Sequence, residues 1–295
     1  MRATLMLEGQ EGVTWQQWLA IAGTCERLGF EGLVTSDHYL SVVAVLGPGS
    51  HDAWTLLGAL AASTERLRLG TMVSPVTFRL PTVLAKAATT VDRISNGRVE
   101  LGMGAGWWEQ EHRTHGIPFP PNDVRLQMLE EQLEIVHGLW SNDVFSFHGR
   151  HYEIEGCRFV PPPVQRPHPP IVVGGTPDEV RASFERVRAA VERAGRERSS
   201  VTTSFMTWVF VGRIDAEWKA RVEQARRMDP SAGPFEDYLA DISRDCIVGT
   251  VEQAIDRMNV YAAAGVQRFV LNHELFDDLE QIELLAEEIL PRVEG

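Results

Sequence analysis

The sequence is poor in cysteine and has no long apolar run, and both absences narrow the class of protein. Its 295 residues include three cysteines. Cys25, Cys157 and Cys246 are odd in number and far apart, so neither a disulfide framework nor a zinc framework is expected. No apolar run reaches the length of a membrane span, and the N-terminal residues lack the apolar core of a signal peptide. We therefore expect a cytoplasmic protein with no membrane partner.

Positive charge is also scarce. The sequence has 28 lysine and arginine residues against 41 aspartate and glutamate residues, for a net charge of −13. This balance disfavours a broad surface for nucleic acid or an anionic membrane, although a local basic pocket for one anionic ligand remains compatible with it. The length fits one large α/β barrel or two ordinary domains. Because no repeat or low-complexity linker interrupts the chain, we expect a single domain over residues 1–295.

Strand-like and helical segments alternate along the chain, which predicts a parallel sheet covered by helices. In the first helix, Thr14 and Gln17 form a capping-box pattern, Gly29 follows the last turn, and Trp15 and Trp18 are expected in the core. Seven strands are predicted, near residues 3–8, 32–36, 66–73, 99–104, 171–173, 201–211 and 268–271. Further helices are predicted near residues 53–63, 82–94, 124–140, 178–194, 251–264 and 277–290, with more than one across 216–242.

Residues 141–170 interrupt this alternation. Residues 145–147 and 151–154, joined through Gly149-Arg150, predict a small hairpin, and the prolines from Pro161 to Pro170 predict an extended segment. The prolines are also compatible with a ligand for a signalling domain. The structural interpretation is favoured because the segment leads directly into the buried strand at 171–173.

The most informative stretch is Leu101–Trp108, where a buried strand opens into alternating glycines followed by two tryptophans. Glycine lets the backbone take unusual dihedral angles and lets a flat ligand lie close against it. The two tryptophans add large apolar faces. The glycine spacing superficially matches a dinucleotide-binding fingerprint, but tryptophans and a proline-rich loop follow where a phosphate-binding helix should begin. The stretch therefore predicts a surface for a planar cofactor or substrate.

The other candidate residues lie at the C-terminal ends of the predicted strands, where the active sites of α/β barrels are found. These ends are rich in glycine, histidine and small polar residues, and they hold no close carboxylate pair of the kind many glycosidases use. They are Asp37-His38, Met72–Pro75, Gly104–Trp108, Gly174-Gly175, the end of the 201–211 strand, and Asn272-His273.

Histidine chemistry is the main open question at these ends. His38 is a candidate general acid/base or a donor to a cofactor ring, the alternative being a histidine satisfied by Asp37 or by the backbone. The pairs His112/His115 and His148/His151 have no convincing third ligand. We therefore expect no metal site.

Five segments, taken in order, resemble the bacterial luciferase-like superfamily, in particular its probable F420-dependent oxidoreductases. They are Ser36–His38, Leu69–Val73, Asn96–Arg98, Leu101–Trp107 and Pro169–Gly175. The resemblance implies a TIM-type barrel that transfers a hydride between an organic substrate and coenzyme F420, a deazaflavin. It also implies a small-molecule substrate and, from family habit, a homodimer.

The resemblance also assigns roles to particular residues. His38 matches the family's active-site histidine, and Met72-Val73 matches a non-prolyl cis peptide that lies against the back of the cofactor ring. The remaining matches are to segments that line the cofactor: Asp37, Gly104, Ala105, Gly106, Trp107, Gly174 and Gly175. Because some family members carry a carboxylate at the position of Trp107, an acid role is not transferred to it.

One departure from the family lies after Gly175. Family members continue with a helix and a further short strand, whereas Thr176-Pro177-Asp178-Glu179 here begins a helix at once, with an N-cap, an N1 proline and a capping-box glutamate. About one α/β step is expected to be absent, which would leave a strand edge that needs covering. Asp178 and Glu179 also disfavour a phosphate at this point. The hypothesis is weakened cofactor binding, or an edge covered by another subunit.

Three functions follow from these observations. The first is an F420-dependent oxidoreductase. The second is an FMN-dependent monooxygenase of the same superfamily, in which reduced flavin activates oxygen. The third is a degenerate barrel that binds a ligand or partner without turnover. The sequence does not name the substrate, because fold-level analogy cannot identify it.

Overall fold

The computed structural model describes residues 1–43, 49–174 and 180–294. Its strands and helices alternate as predicted. In chain order they are β1 (Arg2–Leu7), α1 (Trp15–Leu28), β2 (Gly32–Thr35), α2 (Ala53–Ser63), β3 (Arg68–Thr71), β4 (Ser74–Pro75), α3 (Pro81–Ile94), β5 (Val99–Gly104), α4 (Glu109–Thr114), α5 (Asn122–Ser141), β6 (Phe145–His148), β7 (Glu153–Cys157), β8 (Ile171–Val173), α6 (Val180–Arg193), β9 (Ser204–Gly212), α7 (Asp215–Met228), α8 (Phe235–Asp245), β10 (Ile247–Thr250), α9 (Val251–Ala263), β11 (Arg268–Asn272) and α10 (Leu279–Leu284).

The contacts divide the chain into two compact units. The first unit comprises Met1–Glu8, Val13–Leu33 and Thr176–Gly295, and the second comprises Gly9–Gly12 and Val34–Gly175. This division does not test whether residues 1–295 form a single domain, which stays a prediction. The residues that the resemblance assigns to the cofactor site, from Asp37 to Gly174, all lie within the second unit.

In the first unit, parallel strands form the sheet. β9 pairs with β10 on one side and with β11 on the other, and β11 pairs with β1 so that Arg2 lies opposite Arg268. α1 has the capping box predicted at Thr14 and Gln17, and Gly29 closes it with a left-handed φ of 79°. Trp18 is buried in the core as expected, whereas Trp15 is half-buried.

The prediction of seven strands is wrong, because β10 is an additional parallel strand. It has four residues, and its last residue, Thr250, is also the N-cap of α9, which is why the sequence showed only a helix start there. β10 pairs with the Val209–Gly212 part of β9, on the edge away from β11. β10 therefore covers the second half of this edge of β9.

Between β8 and β9 the described residues contain α6 as their one α-helix, in keeping with a single α/β step. The helix start predicted at Thr176–Glu179, and Gly175 before it, lie outside the described residues. The hypothesis that the acidic residues there weaken cofactor binding accordingly stays a prediction.

The second unit contains the strands that carry the predicted site. β3 and β8 pair in parallel with β5, and the short β4 pairs with the end of β5. Leu69, Leu101 and Met103 on these strands have no exposed surface. The hairpin expected in the 141–170 excursion is present as β6 and β7, with its second strand beginning at Glu153 rather than at residue 151.

The proline-rich segment after the hairpin packs against α3. The buried carboxylate of Asp92 accepts hydrogen bonds from the backbone N–H groups of Val164 and Gln165, at 2.6 and 3.2 Å, and from the Gln165 amide at 2.8 Å. Lys86 and Arg93 donate to the carbonyls of Val160 and Pro162. These contacts support the structural interpretation of the prolines.

The described residues offer neither a membrane-spanning helix nor a cluster of metal ligands. None of the helices in those ranges is both long and apolar enough to cross a membrane. Within the same ranges, histidine, cysteine, aspartate and glutamate side chains do not form any group of three or more that could hold a metal ion. Cys25, Cys157 and Cys246 are free thiols.

Candidate functional site

Hydrogen bonds join the chain after β2 to the chain after β3. The Met72 N–H donates to the Thr35 carbonyl at 2.8 Å, and the Ser74 hydroxyl donates to Asp37 Oδ2 at 2.5 Å. Asp37 is followed by His38, and Ser74 is preceded by Val73. The bonds therefore bring the predicted histidine and the predicted cis peptide to neighbouring strand ends. The Met72–Val73 peptide is cis, as the resemblance implied.

Val73 explains why three of the strand-end glycines are required. A Cβ added at Gly104 would lie 2.5 Å from Val73 Cγ2, and one at Gly174 would lie 3.0 Å from Val73 Cγ1. One at Gly102 would lie 3.0 Å from Val73 Cγ1 and would also collide with the Thr71 carbonyl. These glycines therefore make room for the valine side chain. The absence of a Cβ at these positions therefore lets the backbone lie close to Val73, and the sequence analysis had expected it to lie close to a ligand.

His38 is paired with a glutamate that the sequence analysis missed. Its Nδ1 lies 2.8 Å from Glu111 Oε2, and the Glu111 side chain has no exposed surface. The other carboxylate oxygen accepts hydrogen bonds from the backbone N–H groups of Tyr39 and Leu40, at 2.5 and 3.1 Å. Glu111 thus fixes both the imidazole and the backbone that follows it.

The charge on Glu111 determines the tautomer of His38. Burial alone would raise the pKa of this carboxyl, but hydrogen bonds from His38, Tyr39 and Leu40 hold the pKa below its usual range. The group is therefore a carboxylate at neutral pH and can only accept. Nδ1 of His38 must carry the proton that it donates to Glu111, and proton exchange with a substrate would take place at Nε2.

Trp107 and Trp108 flank the imidazole of His38. The two indole rings stack at a centroid separation of 5.8 Å, and each meets the His38 ring edge-on, at 5.9 and 6.0 Å. Trp107 is 63% exposed, which is unusual for so large an apolar side chain. An exposed tryptophan beside a histidine that is mostly buried offers an apolar surface to a ligand.

Arg79 joins the acidic side chains of Asp37 and Asp52. Its Nη1 lies 2.6 Å from Asp37 Oδ2 and its Nη2 lies 2.6 Å from Asp52 Oδ2. Burial raises the pKa of Asp37, and Arg79 and Ser74 act against that rise. Asp52 also caps α2 by accepting from the Thr55 N–H. Asp37 is therefore a buried acid held by Arg79 and Ser74. Because His38 is the next residue, these contacts also position the backbone that carries His38.

The other candidate histidines have structural partners. Nδ1 of the buried His112 donates to the Trp108 carbonyl at 2.7 Å, so its Nε2 accepts from the Thr77 hydroxyl at 2.6 Å. His115 bonds to the Glu111 carbonyl at 3.0 Å. His148 is exposed, with Glu153 and Glu155 3.6 Å from its two ring nitrogens. Within the described residues, these pairs therefore do not converge on a shared ligand.

The remaining predicted site residues lie on the same strand ends. Gly106 has φ of +79°, and a Cβ there would lie 3.2 Å from the Cβ of Pro75. Ala105 and Gly106 are half-buried between Gly104 and Trp107. The second unit thus brings together Asp37, His38, Met72, Val73, Gly104–Trp107 and Gly174, and Gly175 lies outside the described residues. Glu111 and Arg79 are additions.

The arrangement fits a planar heterocyclic cofactor. Met72 and Val73 are half-buried, so the cis peptide segment keeps surface available although Val73 packs on three glycines. The Trp107 and Trp108 rings beside His38 are apolar, and the carboxyl groups of Asp37 and Glu111 are buried and hydrogen-bonded. A ring system with polar edges could lie against Met72-Val73 and Trp107, with His38 as the group able to move a proton.

The sequence of the chain matches one family. Residues 2–178, well over half of the chain, match the model of the family described as luciferase-like monooxygenase. The chain belongs to this family. The matched residues include every site residue named above, from Asp37 to Gly175.

Relatives of the family use two kinds of cofactor. The FMNH₂-dependent dimethylsulfone monooxygenase of Pseudomonas putida is 27% identical over 318 residues, covering 92% of this chain and 86% of the relative. The crystal structure of a monooxygenase from Streptomyces bottropensis superposes with a TM-score of 0.84 at 23% identity, covering 99% of each chain. An F420-dependent secondary alcohol dehydrogenase, solved with an F420–acetone adduct, has a TM-score of 0.80 at 20% identity over the full length of both chains.

These likenesses confirm the predicted fold. The chain has the mostly parallel α/β fold of luciferase-like TIM-barrel proteins. The protein is a member of the luciferase-like oxidoreductase and monooxygenase superfamily. Its relatives work with FMN or with F420.

Proposed function

We propose that the protein is an F420-dependent oxidoreductase that transfers a hydride between the deazaflavin and a small organic substrate. The observation that carries the proposal is the His38–Glu111 pair, at 2.8 Å, beside the Met72-Val73 wall. When hydride is added to a carbonyl carbon, a proton must reach the oxygen, and the reverse reaction must remove one. A histidine of fixed tautomer is suited to both directions, because neutral His38 can take a proton at Nε2 and the imidazolium paired with Glu111 can give it back.

The chain's own residues prepare this proton transfer. Bound F420 would supply the hydride chemistry, and Met72, Val73 and Trp107 would hold its ring. Glu111 keeps the proton on Nδ1, so Nε2 gives or takes the substrate proton, and the buried carboxylate stabilises the imidazolium form that arises. The stacked tryptophans place apolar ring surface beside His38.

A second candidate is an FMNH₂-dependent monooxygenase. It is favoured by the relative from Pseudomonas putida, whose name specifies FMNH₂ and which matches most of both chains. Trp107 is compatible with it as well, because this chain has a tryptophan where some family members carry a carboxylate. Both candidates use the same planar site.

Cofactor titration separates the candidates. The protein would be titrated with oxidised and reduced F420 and FMN at controlled salt, and binding followed by absorbance and fluorescence. Tight binding of F420 with reduction of a carbonyl substrate supports the proposal. Tight binding of FMNH₂ with oxygen consumption coupled to substrate supports the second candidate. Binding of neither cofactor would favour the degenerate barrel without turnover.

Replacement of His38 tests the mechanism within the leading candidate. His38→Ala should lower the rate of hydride transfer by about 100-fold or more, while cofactor binding and the unfolding midpoint change little. His148→Ala, a change at an exposed histidine away from the site, is the matched control. Unchanged turnover in His38→Ala would remove His38 from the mechanism.

We further propose that the enzyme acts as a cytoplasmic homodimer on a small molecule. The dimer rests on family habit, and the location rests on the composition of the sequence. Sedimentation of the purified protein tests the dimer, and a monomer at micromolar concentration would contradict it.

A further inference from the structure

Two histidines that the proposed reaction does not use face each other on the second unit. His137 lies on α5, and His168 lies in the proline-rich segment that leads into β8. His137 Nδ1 and His168 Nε2 are 3.1 Å apart, and the two rings meet edge-on with centroids at 5.1 Å. His137 is exposed and His168 is half-buried, so the pair is accessible from solvent.

The His168 ring is held from two sides. Its Nδ1 donates a hydrogen bond to the Pro169 carbonyl at 2.8 Å, and a carbonyl can only accept. Its face stacks on Trp140 at 5.7 Å, and Trp140 is itself fixed by a hydrogen bond of 2.9 Å from its indole N–H to the Thr89 hydroxyl. In neutral His168 the lone pair on Nε2 is therefore directed at His137.

We propose that His137 and His168 form a two-histidine site for a divalent transition-metal ion of the zinc, nickel and copper class. A histidine that binds metal through one ring nitrogen usually donates its other N–H to a carbonyl or carboxylate, which is the arrangement of His168. A tetrahedral zinc ion with bonds near 2.05 Å needs ligand nitrogens about 3.3 Å apart, so the distance between the two nitrogens would grow by only a few tenths of an ångström, and the rings would rotate until both lone pairs point at the ion.

Metal binding requires one change of tautomer. Without metal, His137 Nδ1 must carry the proton shared with His168 Nε2. With metal, both nitrogens use their lone pairs, and the His137 proton moves to Nε2, on an exposed ring that water can reach. No net proton is released when both histidines start neutral, and water would complete the coordination shell.

The ligand set predicts selectivity. Within the described residues, no third histidine, cysteine or carboxylate joins the pair, so binding is exchangeable rather than permanent. Imidazole nitrogens favour copper, nickel and zinc over magnesium and calcium, which prefer oxygen ligands. A bound ion would join α5 to the segment that continues through β8 to Gly174, whose backbone packs on Val73.

Calorimetric titration of the untagged full-length protein with Zn²⁺ tests the site. We expect one ion per chain with the wild type and at least tenfold weaker binding with His137→Ala and with His168→Ala. His148→Ala is the control, because His148 is an exposed histidine beside Glu153 and Glu155, and it should bind Zn²⁺ like the wild type. Mg²⁺ at the same concentration should give no comparable heat.

A thermal readout keeps the test decisive if His168→Ala folds poorly. Zn²⁺ should raise the melting temperature of the wild type and of His148→Ala, but not that of His137→Ala, which alters only an exposed side chain. Wild-type affinity in His137→Ala, or loss of binding in His148→Ala, would overturn the proposal. Neither readout depends on which cofactor the enzyme uses.

Discussion

Nδ1 of His38 lies 2.8 Å from a carboxylate oxygen of Glu111, a side chain with no exposed surface. The carboxylate is kept ionised by three hydrogen bonds, although no arginine or lysine pairs with it among the ion pairs of the described residues. A buried charge of this kind is costly unless it is well hydrogen-bonded. Its placement behind His38 gives the imidazole one tautomer and one orientation.

Glu111→Gln should lower turnover by about tenfold to 100-fold with a small effect on folding. The glutamine carbonyl can still accept from the Tyr39 and Leu40 N–H groups, so the backbone is retained. Its amide would then face His38 and donate to Nδ1, which moves the histidine proton to Nε2. Steady-state kinetics across pH should show a lower kcat and a changed profile, with cofactor affinity preserved.

A double-mutant cycle shows whether Glu111 acts through His38. In a His38→Gln background, Glu111→Gln should cause little further loss, because the group it orients is already absent. Full additivity of the two losses would mean that Glu111 acts independently of the imidazole.

Gly104→Ala should destabilise the protein by about 1–3 kcal/mol, the usual range for overpacking. The added methyl would lie 2.5 Å from Val73 Cγ2 in a buried strand end. Val73→Ala removes that atom, and the nearest remaining Val73 atom is then 3.8 Å away. The double variant should regain most of the stability lost by Gly104→Ala, as measured by denaturant unfolding. Equal losses in both backgrounds would contradict the packing explanation of these glycines.

Arg79→Met should cost about 3–5 kcal/mol of unfolding free energy, because it removes the guanidinium that pairs with the buried Asp37 carboxylate and leaves the Ser74 hydroxyl donating to it. Asp52 is a weaker contributor, since its side chain is 39% exposed. Adding Asp37→Asn to Arg79→Met also removes the charge of residue 37. The double variant should therefore be markedly more stable than Arg79→Met alone in denaturant titrations, and an equally unstable double variant would argue against the pair.

The sequence predicted the strand ends better than their connections. Asp37, His38, Met72-Val73 and Gly104–Trp107 could be found because each directly follows a recognisable strand, and parallel strands bring such ends to one edge. The capping box at Thr14 was equally local. These features depend on neighbours within a few residues, which a sequence displays directly.

The features that were missed depend on distant contacts. Glu111 is 73 residues from His38, and it lies on α4, a six-residue helix too short to show a periodic pattern. Arg79 is 42 residues from Asp37 and resembles any exposed loop arginine until its partners are known. β10 was missed because four residues carry little strand signal when the last one also caps a helix.

His273, in the first unit, makes stability depend on pH in a definite direction. It has no exposed surface, and burial lowers its pKa to about 4. Gln281 accepts from the Val211 N–H through Oε1, so its amide nitrogen donates to His273 Nδ1 at 3.0 Å. The folded protein therefore holds this histidine neutral, while the unfolded chain protonates it near pH 6.5.

Because the unfolded state binds the extra proton, His273 stabilises the fold above about pH 6.5, and this contribution is lost as the pH falls towards 4. The expected loss is about 1.4 kcal/mol per pH unit and about 3 kcal/mol in total. His273→Asn keeps an acceptor for Gln281 but cannot titrate. Denaturant unfolding at several pH values in this interval should give a shallower pH dependence for the variant. An identical slope in both proteins would mean that His273 is not held neutral by burial.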